Sequence, residues 1–257
     1  MNNSKNKPRL AFFSLGCCEG CQLQLTYLDK QLLEILKRCD IVSFREVISE
    51  KSDDYDVAFV EGMVSRAHDE DRLETIRKNA SILVAYGSCA TIGGVNGLRL
   101  NYSQKEAKDI VYPGREYHLE VGEPRPLQSM VDVDYYIHGC PTNNDETIEV
   151  IKCILAGRPY KVPEYPVCVE CKLKENVCLF EKEQVCMGPV TRAGCGAWCP
   201  SIGNTCYICR GLLKNPQQDG QIDILKKHGY SLEQLSQKFE LYNMNRIKGG
   251  KKWQKKT

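Results

Sequence analysis

A chain of 257 residues is long enough for one substantial domain and a smaller appendage, and its 42% hydrophobic and 26% charged content is ordinary for a globular protein. A net charge of +2 gives no field that would mark a binder of nucleic acid or anionic lipid, and no run approaches the roughly 18 apolar residues of a membrane span. The outlier is cysteine, with 15 residues; the polar stretch from Met1 to Pro8 carries no secretory pattern, so a reducing compartment is expected, where thiols stay free or hold metal.

In chain order, Leu10 to Leu15 is a short apolar run after Pro8 and predicts a buried strand. Between Cys21 and Arg38 the residues Leu25, Leu28, Leu32, Ile35 and Leu36 recur at helical spacing, with Lys30, Glu34 and Lys37 on the other faces. Asp56 to Val60 predicts a strand, Asp69 to Lys78 a helix, and Ser81 to Tyr86 a further strand. Asp134 to His138 is a last short strand, and Glu146 to Leu155 a last helix stopped by Gly157 and Pro159. Strands alternating with helices imply a mainly parallel, doubly wound α/β sheet over residues 1–160. Residues 161–212 hold eight cysteines among Gly and Pro, with too few apolar residues to fold by packing alone. Metal is expected to staple them into a small irregular domain. Residues 213–257 read as a polar extension with one amphipathic helix, about Ile222 to Phe239, docked on the body or on a partner.

In a doubly wound sheet, ligands sit at the carboxyl ends of the strands. Cys17, Cys18 and Cys21 follow the first predicted strand, Cys89 the strand ending near Tyr86, and Cys140 the one ending at His138. Three cysteine groups far apart in sequence should therefore gather at one edge, as in a metal site. The late cysteines fall into two quartets, Cys168-x2-Cys171-x6-Cys178-x7-Cys186 and Cys195-x3-Cys199-x6-Cys206-x2-Cys209. A Cys-x2-Cys pair lets two thiolates grip one cluster while the intervening amides donate to its sulfurs. Zinc would also take four cysteines per site and staple a small domain, and the late spacing alone leaves both metals open. The early set favours iron–sulfur, because zinc ribbons draw their ligands from close hairpins and these come from three strand ends.

Three stretches, Gly16-Cys17-Cys18-Glu19-Gly20-Cys21, Gly87-Ser88-Cys89-Ala90-Thr91-Ile92-Gly93-Gly94 and His138-Gly139-Cys140-Pro141-Thr142-Asn143, resemble the proximal-cluster motifs of the NiFe hydrogenase small subunit. Cys186-Met187-Gly188-Pro189-Val190-Thr191-Arg192-Ala193-Gly194-Cys195 is similar to that family's segment between its distal and medial clusters. The resemblance runs from about Leu10 to Gly211. It implies a flavodoxin-like first domain and three 4Fe–4S clusters. The proximal cluster would sit on Cys18, Cys21, Cys89 and Cys140, the medial one on Cys195, Cys199, Cys206 and Cys209, and the distal one on Cys168, Cys171, Cys178 and Cys186. It further implies that this chain performs no bond chemistry. Its role would be to relay electrons between the NiFe centre of a partner large subunit and a flavin- or iron–sulfur-bearing acceptor subunit. Cys168 stands where the membrane-bound and periplasmic branch has a distal histidine, and Cys199 where its medial cluster has a proline. Both departures point to the cytoplasmic branch, that of sulfhydrogenase delta subunits and the small subunits of coenzyme-linked hydrogenases. A complex I type subunit shares the core and a tandem cysteine pair but lacks the eight-cysteine domain.

Of the remaining residues, Cys39 and Cys153 read as buried small hydrophobes. Cys17 is the alternative to Cys18, and Glu19 reads as a cap of the following helix rather than a proton relay. His138 is either a packed histidine or a hydrogen-bond donor to a cluster sulfur. Gly93, Gly94 and Gly97 are expected to bring backbone close to the cluster at Cys89, and Trp198 to pack over a cluster. Arg246, Lys248, Lys251, Lys252, Lys255 and Lys256 form a basic run that reads as a solvated tail. Neither GxxxxGK[ST] nor GxGxxG occurs, so no nucleotide site is implied.

Overall fold

Strands β1 (Arg9–Ser14), β2 (Asp40–Phe44), β3 (Val57–Glu61), β4 (Ile82–Tyr86) and β5 (Tyr135–Ile137) form one parallel sheet in the order β2-β1-β3-β4-β5. The structure is a computed structural model and describes residues 7–28, 30–115, 122–214, 223 and 225–248. This strand order is the flavodoxin-like, doubly wound one.

The central strands are apolar on both sides because helices cover both faces. Leu10, Phe12, Val57, Phe59, Val84 and Tyr86 point to one face, where they pack with Leu25, Leu28, Ile35, Ile148, Ile151 and Ile154. Their neighbours Ala11, Ala58, Val60, Leu83 and Ala85 point to the other, against Leu73, Ile76, Leu127 and Val131. Phe12 anchors the first face, with ring centroids 4.6 Å from Phe44 and 4.8 Å from Phe59.

The predicted helix from Cys21 to Arg38 is two helices, α1 (Gly20–Thr26) and α2 (Lys30–Leu36). No Gly or Pro marks the break. Thr26 Oγ1 donates to the Leu23 carbonyl at 2.7 Å, and Tyr27 and Leu28 close tighter three-residue turns onto Gln24 and Leu25. A threonine hydroxyl bonded back to its own turn competes with the regular ladder in this way. β2 escapes prediction because it is an edge strand that starts on exposed Asp40 and buries only Ser43 and Phe44. Helices α3 (Ala67–Asn79) and α6 (Asn144–Leu155) lie where expected, and α4 (Gly87–Ile92) and α5 (Gln104–Val111) are additions.

Beyond residue 160 regular structure is sparse: α7 (Val167–Leu173), α8 (Trp198–Ser201) and short 3-10 turns at Leu179–Lys182 and Gly188–Val190. One small core here is Val167, Leu179 and Ala197 packed with the cysteines Cys186 and Cys206. The expected helix from Ile222 to Phe239 falls partly outside the described residues, and the described helix, α9, spans Leu232–Lys248. Ser231 and Gln234 start it as a capping box, Gln234 N–H donating to Ser231 Oγ at 3.2 Å and Ser231 N–H to Gln234 Oε1 at 2.9 Å. Of the basic run, Arg246 and Lys248 lie at the end of α9, and the four later lysines lie outside the described residues.

Candidate metal centre

β1, β4 and β5 run parallel and pass at the same edge of the sheet into the three predicted cysteine loops. Cys18 precedes α1, Cys21 lies in its first turn, Cys89 lies in the first turn of α4, and Cys140 follows β5. Cys18 and Cys140 lie close enough to Cys89 for their charges to oppose its ionisation, Cys18 acts likewise on Cys140, and Cys140 on Cys21. Cys17, half-buried, neighbours Cys89 and Glu61. Burial pushes the Cys89 thiol up to about 12 and the Cys21 thiol higher still, so both keep their protons at neutral pH until a metal displaces them.

Glycine clears the space around these sulfurs. A Cβ on Gly87 (φ +89°) would lie 2.4 Å from Cys21 Sγ, and one on Gly94 (φ +58°) 2.8 Å from Cys89 Sγ. Gly93 and Gly97 have another neighbour, Asn245 of α9, so Gly94 alone of the three predicted glycines meets a thiol this way. Tyr86 holds the α1 backbone in place from the core, its hydroxyl donating to the Cys21 carbonyl at 2.8 Å.

Glu61 was not foreseen. It ends β3, the strand between β1 and β4, and its buried carboxylate accepts the backbone N–H groups of Cys21 at 3.2 Å and Gln22 at 3.1 Å. It therefore performs the capping expected of Glu19. Glu19 occupies the N-cap position, but its side chain turns away to pair with Arg45. His138 is the packed histidine: Nδ1 meets Thr91 Oγ1 at 2.9 Å and Nε2 meets Arg192 Nη1 at 2.7 Å. A guanidinium only donates, so Nε2 accepts and Nδ1 carries the proton. Burial, with Arg192 and Arg210 nearby, holds this ring neutral.

The late cysteines also gather. Cys168 lies near Cys186, Cys171 and Cys178; Cys199 lies near Cys195; and Cys209 lies near Cys195 and Cys206. Their sulfurs accept protein donors. Cys206 N–H reaches Cys186 Sγ at 3.3 Å, and Asn176 Nδ2 reaches Cys171 Sγ at 3.5 Å. Ile208 adopts φ +61°, rare for a β-branched residue, and this turns its N–H toward the Cys206 sulfur. Glu170, between Cys168 and Cys171, accepts Gly194 N–H at 2.8 Å and Ala197 N–H at 3.1 Å, fixing the loop that carries Cys195. Cys140 N–H donates to the Cys209 sulfur, which links the sheet-edge group to the late ones. Cys39 and Cys153 are buried, as expected, whereas Trp198 is 58% exposed.

A fully buried ion pair locks the late segment to the sheet. Arg210, next to Cys209, donates to both Glu146 oxygens at 2.5 and 2.7 Å, to the His138 carbonyl at 2.6 Å and to the Ala193 carbonyl at 2.8 Å. Gly194 (φ +113°) makes room for it, since a Cβ there would lie 2.2 Å from Arg210 Nη2.

A zinc ion needs its sulfurs all about 2.3 Å away. Among the described residues, no three His, Cys, Asp or Glu side chains close to the spacing of a single ion. Thiols gathered in this way, with amides aimed at their sulfurs, have the chemistry that an iron–sulfur core asks of its ligands.

The profile of the family described as NADH ubiquinone oxidoreductase, 20 Kd subunit, matches residues 18–154, more than half of the chain. The chain belongs to that family. Among its relatives in the 20 Kd family are hydrogenase subunits. It is 38% identical to the sulfhydrogenase 2 subunit delta of Pyrococcus furiosus, over 85% of this chain and 92% of that subunit. It is 36% identical to a subunit of the F420-non-reducing hydrogenase vhu of Methanococcus voltae, over 80% of this chain and 83% of that one. Among solved structures it resembles a chain of an NAD+-reducing NiFe hydrogenase in the H2-reduced state, with a TM-score of 0.55 and 28% identity over 61% of this chain and 96% of that one. No helix among the described residues is long and apolar enough to cross a membrane.

Proposed function

We propose that this chain is the electron-transferring small subunit of a cytoplasmic NiFe hydrogenase. It relays electrons between the NiFe centre of a large subunit and a flavin- or iron–sulfur-bearing acceptor subunit. Three 4Fe–4S clusters supply the one-electron redox chemistry when bound. Cys18, Cys21, Cys89 and Cys140 hold the proximal one, Cys195, Cys199, Cys206 and Cys209 the medial one, and Cys168, Cys171, Cys178 and Cys186 the distal one. Residues 1–160 carry the proximal site and residues 161–212 the other two, with 213–257 as an extension.

The observation that carries this reading is the linear order of the thiol groups. The first group touches the second through Cys140 N–H on the Cys209 sulfur, and the second touches the third through Cys206 N–H on Cys186 Sγ. Three redox sites strung in a row make a wire, which a purely structural set of staples would not need. The two ends are open. Cys18 and Cys140 are exposed at the sheet edge, where the large subunit would dock, and Cys178 is exposed in the late segment, whose Leu173 and Val177 are themselves 80% and 56% exposed. An obligate partner would cover such apolar groups.

The test is the complex purified anaerobically with its large and acceptor subunits. H2 should reduce the acceptor subunit. Cys178→Ala should slow that reduction at least about tenfold while leaving hydrogen-isotope exchange, which needs the NiFe centre alone, unchanged. A complex without H2-dependent reduction, or a Cys178→Ala complex with full reduction, would contradict the proposal.

A further inference from the structure

The polar C-terminal segment reaches the proximal site. α9 packs chiefly on the turn Val95–Asn101 and also on α4, the two elements that flank Gly93 and Gly94. Lys248 Nζ donates to the Leu100 carbonyl at 3.3 Å, and Arg246 Nη1 to the Leu213 carbonyl at 3.2 Å, so the helix is tied to both parts of the molecule. Its regular geometry breaks at buried Asn243 (φ −117°, ψ 15°), whose side-chain amide donates to the Phe239 carbonyl at 3.2 Å. Side-chain insertion of this kind is a known cause of a kink.

Tyr242 and Asn245 lie on either side of this break. Asn245 is buried against the cysteine loop: a Cβ on Gly93 would lie 1.9 Å from its Nδ2, and one on Gly97 3.2 Å away. Tyr242 packs its body against the late core of Met187, Val190, Ile208 and Leu212. Its hydroxyl faces the Cys140 side chain, and Cys89 and Cys209 are also close by. One phenol thus stands where the sheet-edge thiols and the late segment meet.

We propose that Tyr242 is a positioning residue of the proximal cluster, its hydroxyl donating a hydrogen bond to the Cys140 sulfur and raising the reduction potential of that cluster alone. The inference rests on the proximal assignment made above. A ligating sulfur is a thiolate and has no proton to give, so the phenol must be the donor. A donor that draws negative charge from the sulfur opposes the arrival of an electron less than bare thiolate does, and hydrogen bonds to cluster sulfurs are among the groups that set the potential.

The experiment is an anaerobic redox titration of the intact complex, followed by electron paramagnetic resonance. Tyr242→Phe keeps the ring and removes the donor. One of three midpoint potentials should move negative, that of the cluster whose signal Cys140→Ala abolishes, and the other two should stay. Replacing Tyr242 by 3-fluorotyrosine, a near-isosteric and stronger donor, should move the same potential positive. This opposite sign is one that a merely structural role would not produce, and it decides the matter even if the Phe variant loses iron. Three clusters with three unmoved potentials would overturn the role of Tyr242 while leaving the cluster assignment standing. A common shift of all three would overturn it as well. Absence of any cluster signal from the unaltered complex would overturn the assignment itself.

Discussion

Arg210→Met is expected to lower the thermal midpoint by about 10 °C and to loosen residues 161–212 from the sheet. The guanidinium satisfies Glu146 with two hydrogen bonds and two backbone carbonyls besides, all away from water. Removing one member of a buried pair strands the other, which costs about 3–5 kcal/mol. In a chain of this size each kcal/mol is worth about 2–4 °C. The pair is not in itself a large source of stability, because burying both charges has already cost much of their attraction. Arg210→Met with Glu146→Leu should therefore recover a good part of the loss. Some deficit should remain, because the His138 and Ala193 carbonyls and the Tyr160 hydroxyl, which donates to Glu146 at 2.8 Å, lose their partners. Anaerobic scanning calorimetry of both variants checks this, and a double variant no better than Arg210→Met would contradict the account of the pair.

Cys140→Ser should remove about one third of the bound iron, one cluster of three, and leave the late segment folded. The substitution takes away a thiolate at the sheet edge, whereas the ties between the late segment and the sheet run through other atoms. Those include the Arg210–Glu146 pair, Arg192 on His138, and Ser88 Oγ on the Cys209 carbonyl. The Cys140 N–H that meets the Cys209 sulfur is backbone and survives the change. Iron and sulfide analysis gives the first half of the prediction and limited proteolysis the second. Unchanged iron would remove Cys140 from the ligand set.

The sheet was legible because its strands are buried on both faces, so Leu10, Phe12, Val57, Phe59, Leu83 and Val84 read as unbroken apolar runs. β2 was not, since an edge strand starting on Asp40 lacks that signature. The gathering of Cys18, Cys21, Cys89 and Cys140 was legible from topology: parallel strands deliver their following loops to one edge. What escaped were the individual side-chain contacts between distant segments. Glu61 is spelled as the last residue of a strand, and only the sheet order puts its carboxylate under the first turn of α1. Arg210 is one arginine among many basic residues, and only the fold places it on Glu146. The start of α9 was within reach, because Ser231 and Gln234 have the spacing of a capping box. Its contact with the proximal site was not, for nothing in the local pattern near Tyr242 names Cys140 as its neighbour.

The most direct measurement is metal and acid-labile sulfide analysis of this subunit, purified without oxygen. About twelve iron atoms and about twelve sulfides per chain, with a broad visible absorbance that bleaches on reduction, are the predicted result. A colourless protein holding zinc and no labile sulfide would contradict it.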